Sequence, residues 1–317
     1  MKTMNYLKTW ALSALGVALV TLPTFAADQS TQSTRRQSRE SYSSQTTSSS
    51  SQNQQGLGQL ERANKLVGKE VLSSDNQKLG KIDNIITDLE SGRILYAVVG
   101  SGGVAGVGEK KRAVPPGIFE EGTGNNLRLN TDKAKFDSAP EFTKDIDKAV
   151  ELGKAQFVNQ VYQAFGQSAW WQGGAGTSAS TGEFHNVHKA TDLIGMNVKN
   201  VSDQSMGKVD NVMLNLPQGR IAYIILDPDR SLALGSDLYA LPPNAFSMNA
   251  DGKSLTSDIS KDKLAAAPHF AKNNWAQLSD TSFASQVYQY YGKQAYFETG
   301  TSNIKPTGRT SSGTPPQ

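Results

Sequence analysis

The chain writes one pattern twice. "KLVGKEVLSSDNQKLGKIDNIITDLESGRILYAVVG" begins at Lys65, and "DLIGMNVKNVSDQSMGKVDNVMLNLPQGRIAYIILD" begins at Asp192. Without a gap, Gly68 falls on Gly195, Gly80 on Gly207, Asp83 on Asp210, and Gly92-Arg93 on Gly219-Arg220. Tyr96 falls on Tyr223 and Pro115-Pro116 on Pro242-Pro243, every pair 127 positions apart. Later landmarks recur after small insertions or deletions: "DSAPEF" with "AAAPHF", and "FVNQVYQAFG" with "FASQVYQYYG". Two copies of a unit of roughly 100 residues make a duplicated domain, since a solenoid needs at least three repeats.

Each copy reads as short strands followed by helix. "RILYAVVG" and "RIAYIILD" are β-branched and almost continuously apolar, as strands buried on both faces would be. "ESG" and "PQG" before them read as tight turns with glycine late in the turn, and "SSDNQKLG" and "VSDQSMG" as another turn. Several short strands at this spacing predict a small β-barrel in each copy. The copies close with helices. Phe157, Val161, Ala164 and Phe165 recur at three- and four-residue steps, as do Phe283, Val287, Tyr290 and Tyr291, with Gly166 and Gly292 as stop signals. Such aromatic stripes are expected to cover the barrel that precedes them.

The sequence outside the copies divides the rest of the chain. Residues 1–26 read as a secretory signal peptide: Lys2 and Lys8, the apolar run "WALSALGVALVTL", then Thr24 and Ala26 before a cleavage point. That run falls short of the roughly 20 apolar residues of a membrane span. Residues 27–62 are Ser/Gln-rich and expected to be a disordered linker. Repeat 1 with its helices occupies 63–171, a flexible linker 172–187, repeat 2 with its helix 188–298, and a disordered tail 299–317. Cysteine is absent, which excludes disulfides and thiolate metal sites. An exported chain without cysteine fits a bacterial periplasm. The formal charge of +3 lies in the signal and linker, and the folded segments are nearly neutral. No basic domain therefore points to nucleic acid.

The candidate sites weigh against chemistry. "GSGGVAGVGEKKRAVPP" (Gly100 to Pro116) has the glycines of a phosphate cradle, yet Glu109 follows Gly108 where a P-loop needs Lys and Ser/Thr. In the second copy it overlays "DPDRSLALGSDLYALPP", whose Asp227 and Asp229 would repel phosphate, so a hairpin loop is expected. His185 and His188 are spaced for a metal on a helix, but the third histidine, His269, is distant and the first copy has none. Asp83 and Asp210 recur as possible general bases or, preferably, turn or cap aspartates. Asp227-Pro228-Asp229 lacks the ligand spacing of a calcium loop. Arg93 and Arg220, with Tyr96 and Tyr223, read as scaffold pairs on a β face. No catalytic, cofactor or metal residue is assigned, and no cofactor is expected.

The ordered set Leu-x-Gly-x-x-Val, polar turn, Gly-Lys-Ile/Val, long hairpin, Gly-containing loop and hydrophobic-Pro-Pro resembles the PRC-barrel family. The likeness runs over Leu66 to Phe142 and again over Leu193 to Phe270. It implies a mainly β fold with α elements: two tandem small β-barrels, each followed by C-terminal helix. Family members include the soluble domain of the photosynthetic reaction-centre H subunit and a domain of a ribosome maturation factor, both of which dock on larger assemblies. The expectation is a periplasmic, non-enzymatic adaptor whose partners are proteins of the cell envelope, without nucleic acid and without a membrane span after signal cleavage. A small-molecule or metal-binding envelope protein is the alternative, and a hydrolase the third reading.

Overall fold

The computed structural model describes residues 57–102, 108–172, 184 and 186–297. The signal, most of the Ser/Gln-rich linker, almost all of the segment between the copies and the tail lie outside these residues. In repeat 1 the order is β1 (Glu61–Arg62), α1 (Ala63–Leu66), β2 (Glu70–Leu72), β3 (Lys78–Asp88), β4 (Arg93–Ser101), β5 (Lys110–Val114), β6 (Phe119–Glu121) and β7 (Leu127–Leu129). Helices α2 (Lys133–Asp137), α3 (Ala149–Leu152) and α4 (Ala155–Ala164) follow. Repeat 2 opens with β8 (Val187–Lys189), α5 (Ala190–Leu193), β9 (Asn197–Asn200), β10 (Ser205–Asn215) and β11 (Arg220–Pro228). It continues with β12 (Leu238–Leu241), β13 (Phe246–Met248), β14 (Ser254–Ser257), α6 (Lys261–Ala265), β15 (His269–Phe270) and α7 (Thr281–Tyr290). The fold is mainly β with a few helices. Among the described residues no helix is long and apolar enough to cross a membrane.

The glycines that recur in sequence sit where backbones meet. A Cβ on Gly80 would lie 2.0 Å from the Gly100 carbonyl oxygen, and one on Gly207 would lie 2.1 Å from that of Asp227. Only glycine lets β3 and β10 press this closely on the strands that follow them. Three residues later in each strand the ladder slips. Ile82 pairs with Val99 but Asn84 with Val98, so Asp83 is an extra residue; Val209, Asp210 and Asn211 repeat this against Leu226 and Ile225. Such a β-bulge bends the strand and increases its twist, which curls the sheet around its core.

Strand β4 is apolar throughout because both its faces are covered. Ile94, Ala97 and Val99 face the interior core, whereas Leu95, Tyr96 and Val98 join a second cluster beneath α4. Phe157, Val158, Val161 and Tyr162 of α4 complete that cluster. The Tyr96 hydroxyl donates to the Leu152 carbonyl at 2.9 Å. In repeat 2, α7 buries Phe283, Ala284, Val287 and Tyr288, and Tyr223 donates to the Leu278 carbonyl at 3.3 Å. Helix α7 is also capped: the Asp280 carboxylate accepts from the backbone N–H groups of Ser282 and Phe283.

Neither copy closes into a separate barrel. The strand path runs β13-β14-β9-β10-β11-β4-β3-β2-β7-β6, passing from one copy to the other between β11 and β4. Strands β5 and β6 do not pair, and the corner between them begins with Pro115-Pro116, which has no N–H groups to donate to a ladder. The first strand of each copy crosses over. β1 pairs with β10 (Glu61 opposite Leu214), and β8 pairs with β3 (His188 opposite Thr87). These pairings obey the same 127-residue offset, so the copies are related by an approximate twofold axis. Asn84 donates to the Thr191 hydroxyl at 2.7 Å, and Thr87 donates to the His188 carbonyl at 3.0 Å, both across the seam. One apolar cluster contains residues of both copies. The segment expected to act as a spacer thus delivers its last residues, Asn186 and Val187, into the sheet of repeat 1; the Asn186 carbonyl accepts from Leu89 N–H at 3.0 Å.

Two outcomes follow from this packing. A chain cut at a protease site introduced within Gly174–Gly182 is expected to elute in size-exclusion chromatography as one species of unchanged size until denaturant is added; two separating fragments would contradict the shared sheet. Leu95→Ala, at a fully buried side chain, should cost roughly 2–5 kcal/mol in urea unfolding. Val201→Ala, at a side chain 73% exposed, should change stability by less than about 0.5 kcal/mol.

Candidate functional site

The aspartates repeated in the two copies are bulge residues whose side chains leave the ladder toward lysine. Asp83 receives the Lys111 ammonium at 2.7 Å. Lys111 has no counterpart in repeat 2, where Leu238 takes its place in the alignment. There Lys272, at 2.9 Å from Asp227, supplies positive charge near Asp210 instead. Burial, followed by repulsion from Asp227, raises the Asp210 pKa above the usual carboxylate value. The two positions therefore differ in environment and do not share a proton-transfer geometry.

The other sequence candidates are dispersed. His188 lies on β8 in the seam with its Nε2 2.8 Å from the Asn186 side-chain oxygen, and His185 lies outside the described residues. His269 is on β15, 3.7 Å from Asp237 and packed near the Tyr239 ring. Among the described residues no group of three or more His, Asp or Glu side chains is placed to hold a metal. Gly100 and Ser101 pair with Lys111 and Lys110, which makes the glycine-rich stretch a β4–β5 hairpin; its tip, residues 103–107, lies outside the described residues. In repeat 2 the equivalent loop contains a short 3₁₀ turn at Arg230–Leu232, capped by Asp229, whose carboxylate also accepts from the Ser205 hydroxyl at 2.8 Å. Asp229 thus serves the turn.

The seam is where repeated residues converge. Ile94 N–H donates to the Gly219 carbonyl at 3.0 Å, and Ile221 N–H to the Gly92 carbonyl at 2.9 Å. These two bonds flank Arg93 and Arg220, which stand directly opposite each other. Such a non-hydrogen-bonded antiparallel pair brings Cα atoms to about 4.5 Å, the closest register a sheet offers. Gly92 and Gly219 have φ of +64° and +63°, and each packs on a proline of the other copy: a Cβ would meet Pro243 at 3.1 Å or Pro116 at 2.9 Å. The Gly-Arg and Pro-Pro landmarks are therefore contact residues of one approximately symmetric interface.

Above the seam, each arginine lies over an aromatic ring. The Arg93 guanidinium is 4.4 Å from the Trp170 ring centre, and that of Arg220 is 5.2 Å from the Tyr296 ring centre. Burial and the facing Arg220 lower the Arg93 pKa to about 10, and burial lowers that of Arg220. Sequence reading singled out the two arginines as candidate scaffold residues on a β face but missed Trp170 and Tyr296. Their signal was available: both fall four residues after the stop glycines Gly166 and Gly292. A separate open groove of about 650 Å³ lies beside α7, lined by Pro268, His269, Gln277, Phe283, Gln286 and Tyr290 among others.

His188 yields a pH dependence. Burial lowers its pKa below 6.5, with nearby Asp192 opposing, so the folded chain holds the neutral ring. The unfolded chain then binds more protons below pH 6.5, and stability falls as pH drops through that value until the depressed folded pKa is passed. His188→Gln should flatten this part of the melting-temperature profile between about pH 7.5 and 5; identical slopes in the two proteins would refute the assignment.

Compared with known proteins, a family model described as the PRC-barrel domain matches residues 59–136 and again residues 185–264. A search of curated proteins finds no match.

Proposed function

This chain is a tandem member of the PRC-barrel family, and from that premise we propose that it is an exported, non-enzymatic adaptor that docks on a protein assembly of the cell envelope. The observation that carries this reading is the seam: shared strands and a shared core hold the outer surfaces of both domains in one fixed relation. A rigid body of this kind presents two docking surfaces without paying the ordering cost of a flexible pair. Preorganisation of this kind takes the place of avidity between modules on a flexible linker.

The copies have diverged at their β-hairpins. Repeat 1 carries the basic residues Lys110, Lys111 and Arg112 on β5 after its glycine-rich stretch, while repeat 2 carries the capped 3₁₀ turn. This difference supports unequal contacts by the two ends. Export rests on the leader pattern of residues 1–26.

Crosslinking in intact cells tests the adaptor reading. The full-length chain should give a defined envelope-protein adduct, and removal of Gly103–Val107 should diminish it while leaving the melting temperature unchanged. The recovered chain should begin at Ala27 by mass spectrometry. A chain found uncleaved in the cytoplasm, or hydrolytic activity lost on Asp83→Asn and Asp210→Asn, would overturn the reading.

A further inference from the structure

The arginine pair at the seam is an electrostatic arrangement that folding alone does not favour. Like charges directly opposite each other on a sheet repel, and Arg93 and Arg220 occupy the closest of antiparallel registers. Both are partly withdrawn from water, which strengthens the repulsion. Several partly buried cations of the fold do have carboxylate partners: Lys69 with Glu61, Lys111 with Asp83, Arg112 with Glu141, and Lys189 with Asp147. Among the described residues, neither Arg93 nor Arg220 forms an ion pair or gives a hydrogen bond to an acceptor.

The aromatic contacts explain only part of the arrangement. Trp170 and Tyr296 cover the flat faces of the guanidiniums, whereas the N–H donors of a guanidinium project from its edge, in the plane. Those edges are what an acceptor would engage. Arg93 and Arg220 stand opposite each other in the register at the approximate twofold axis, so an acceptor held between them would draw on one guanidinium from each copy. A tetrahedral dianion fits this requirement, because it offers an oxygen edge to each fork and its charge matches the pair. The partial burial of both arginines strengthens their attraction to such an ion.

We propose that Arg93 and Arg220 together form a binding site for a small tetrahedral oxyanion of the phosphate type, held across the seam between the two domains. The site exists only in the tandem fold, since each copy contributes one arginine and one aromatic wall. It is separate from the glycine-rich hairpin, where sequence first suggests a phosphate. Binding of the ion stabilises the paired state of the two copies, because an uncombined domain offers only half of its ligands.

Titration of the full-length protein with inorganic phosphate tests this, using calorimetry and thermal melting at constant ionic strength with chloride as the reference. The expected result is saturable binding of one phosphate per chain and a melting temperature that rises with phosphate. Arg93→Gln and Arg220→Gln should each weaken binding by about tenfold or more. Arg220→Lys, which keeps the charge and spares the fold but lacks the planar fork, should also lose most of the phosphate-dependent rise. A purely structural stacking role predicts variants that melt lower by the same amount with and without phosphate, and that result would overturn the proposal. So would equal responses of the wild-type chain to phosphate and chloride.

Discussion

Two backbone hydrogen bonds, between Ile94 and Gly219 and between Ile221 and Gly92, join β4 to β11, and the rest of the architecture is arranged around that joint. The bonds are short-range and few, so they do not hold the copies together unaided. They set a register that places Pro243 against Gly92 and Pro116 against Gly219. The same register allows β1 and β8 to reach the neighbouring copy's long hairpin strand. Strands of two or three residues have no independent stability. Here they persist because the adjoining α1 and α5 residues, Ala63, Leu66, Ala190 and Leu193, are buried in the common core.

The sheet remains open within each copy at the β5–β6 corner and its equivalent, where the Pro-Pro pairs interrupt pairing. Fusion of two domains into one sheet also covers edges that would otherwise recruit foreign chains. Each copy retains its own outer helix, with Tyr96 and Tyr223 linking the strand to the segment before that helix. Burial raises the pKa of both tyrosines beyond the ordinary phenol range, so these hydroxyls remain donors.

A functional reading has to accommodate both symmetry and its loss. The seam keeps glycine, arginine and proline in both copies. The hairpins and the surroundings of Asp83 and Asp210 have diverged, with Lys111 paired to one aspartate while Lys272 serves the other hairpin through Asp227. Divergence at the periphery around a retained joint suits a scaffold with two unequal faces. The paired arginines are the exception within the joint: retained in both copies, adjacent, and without a carboxylate among the described residues.

The duplication, the glycine turns, the hairpin and the aromatic face of each terminal helix were legible because they depend on local pattern. The period of apolar residues, a positive φ and the spacing of two copies are all properties of the linear chain. Trp170 and Tyr296 were equally visible as a repeated aromatic position, but nothing local assigns them to the arginines. The sequence by itself determined that one β-rich unit occurs twice, with its glycine-marked turns and its apolar strands from Arg93 and Arg220. Only the tertiary structure decided that the units share strands and a core and set their arginines face to face. Strand partners far apart in sequence are selected by the burial and backbone pairing of the assembled whole, which no stretch of chain encodes alone.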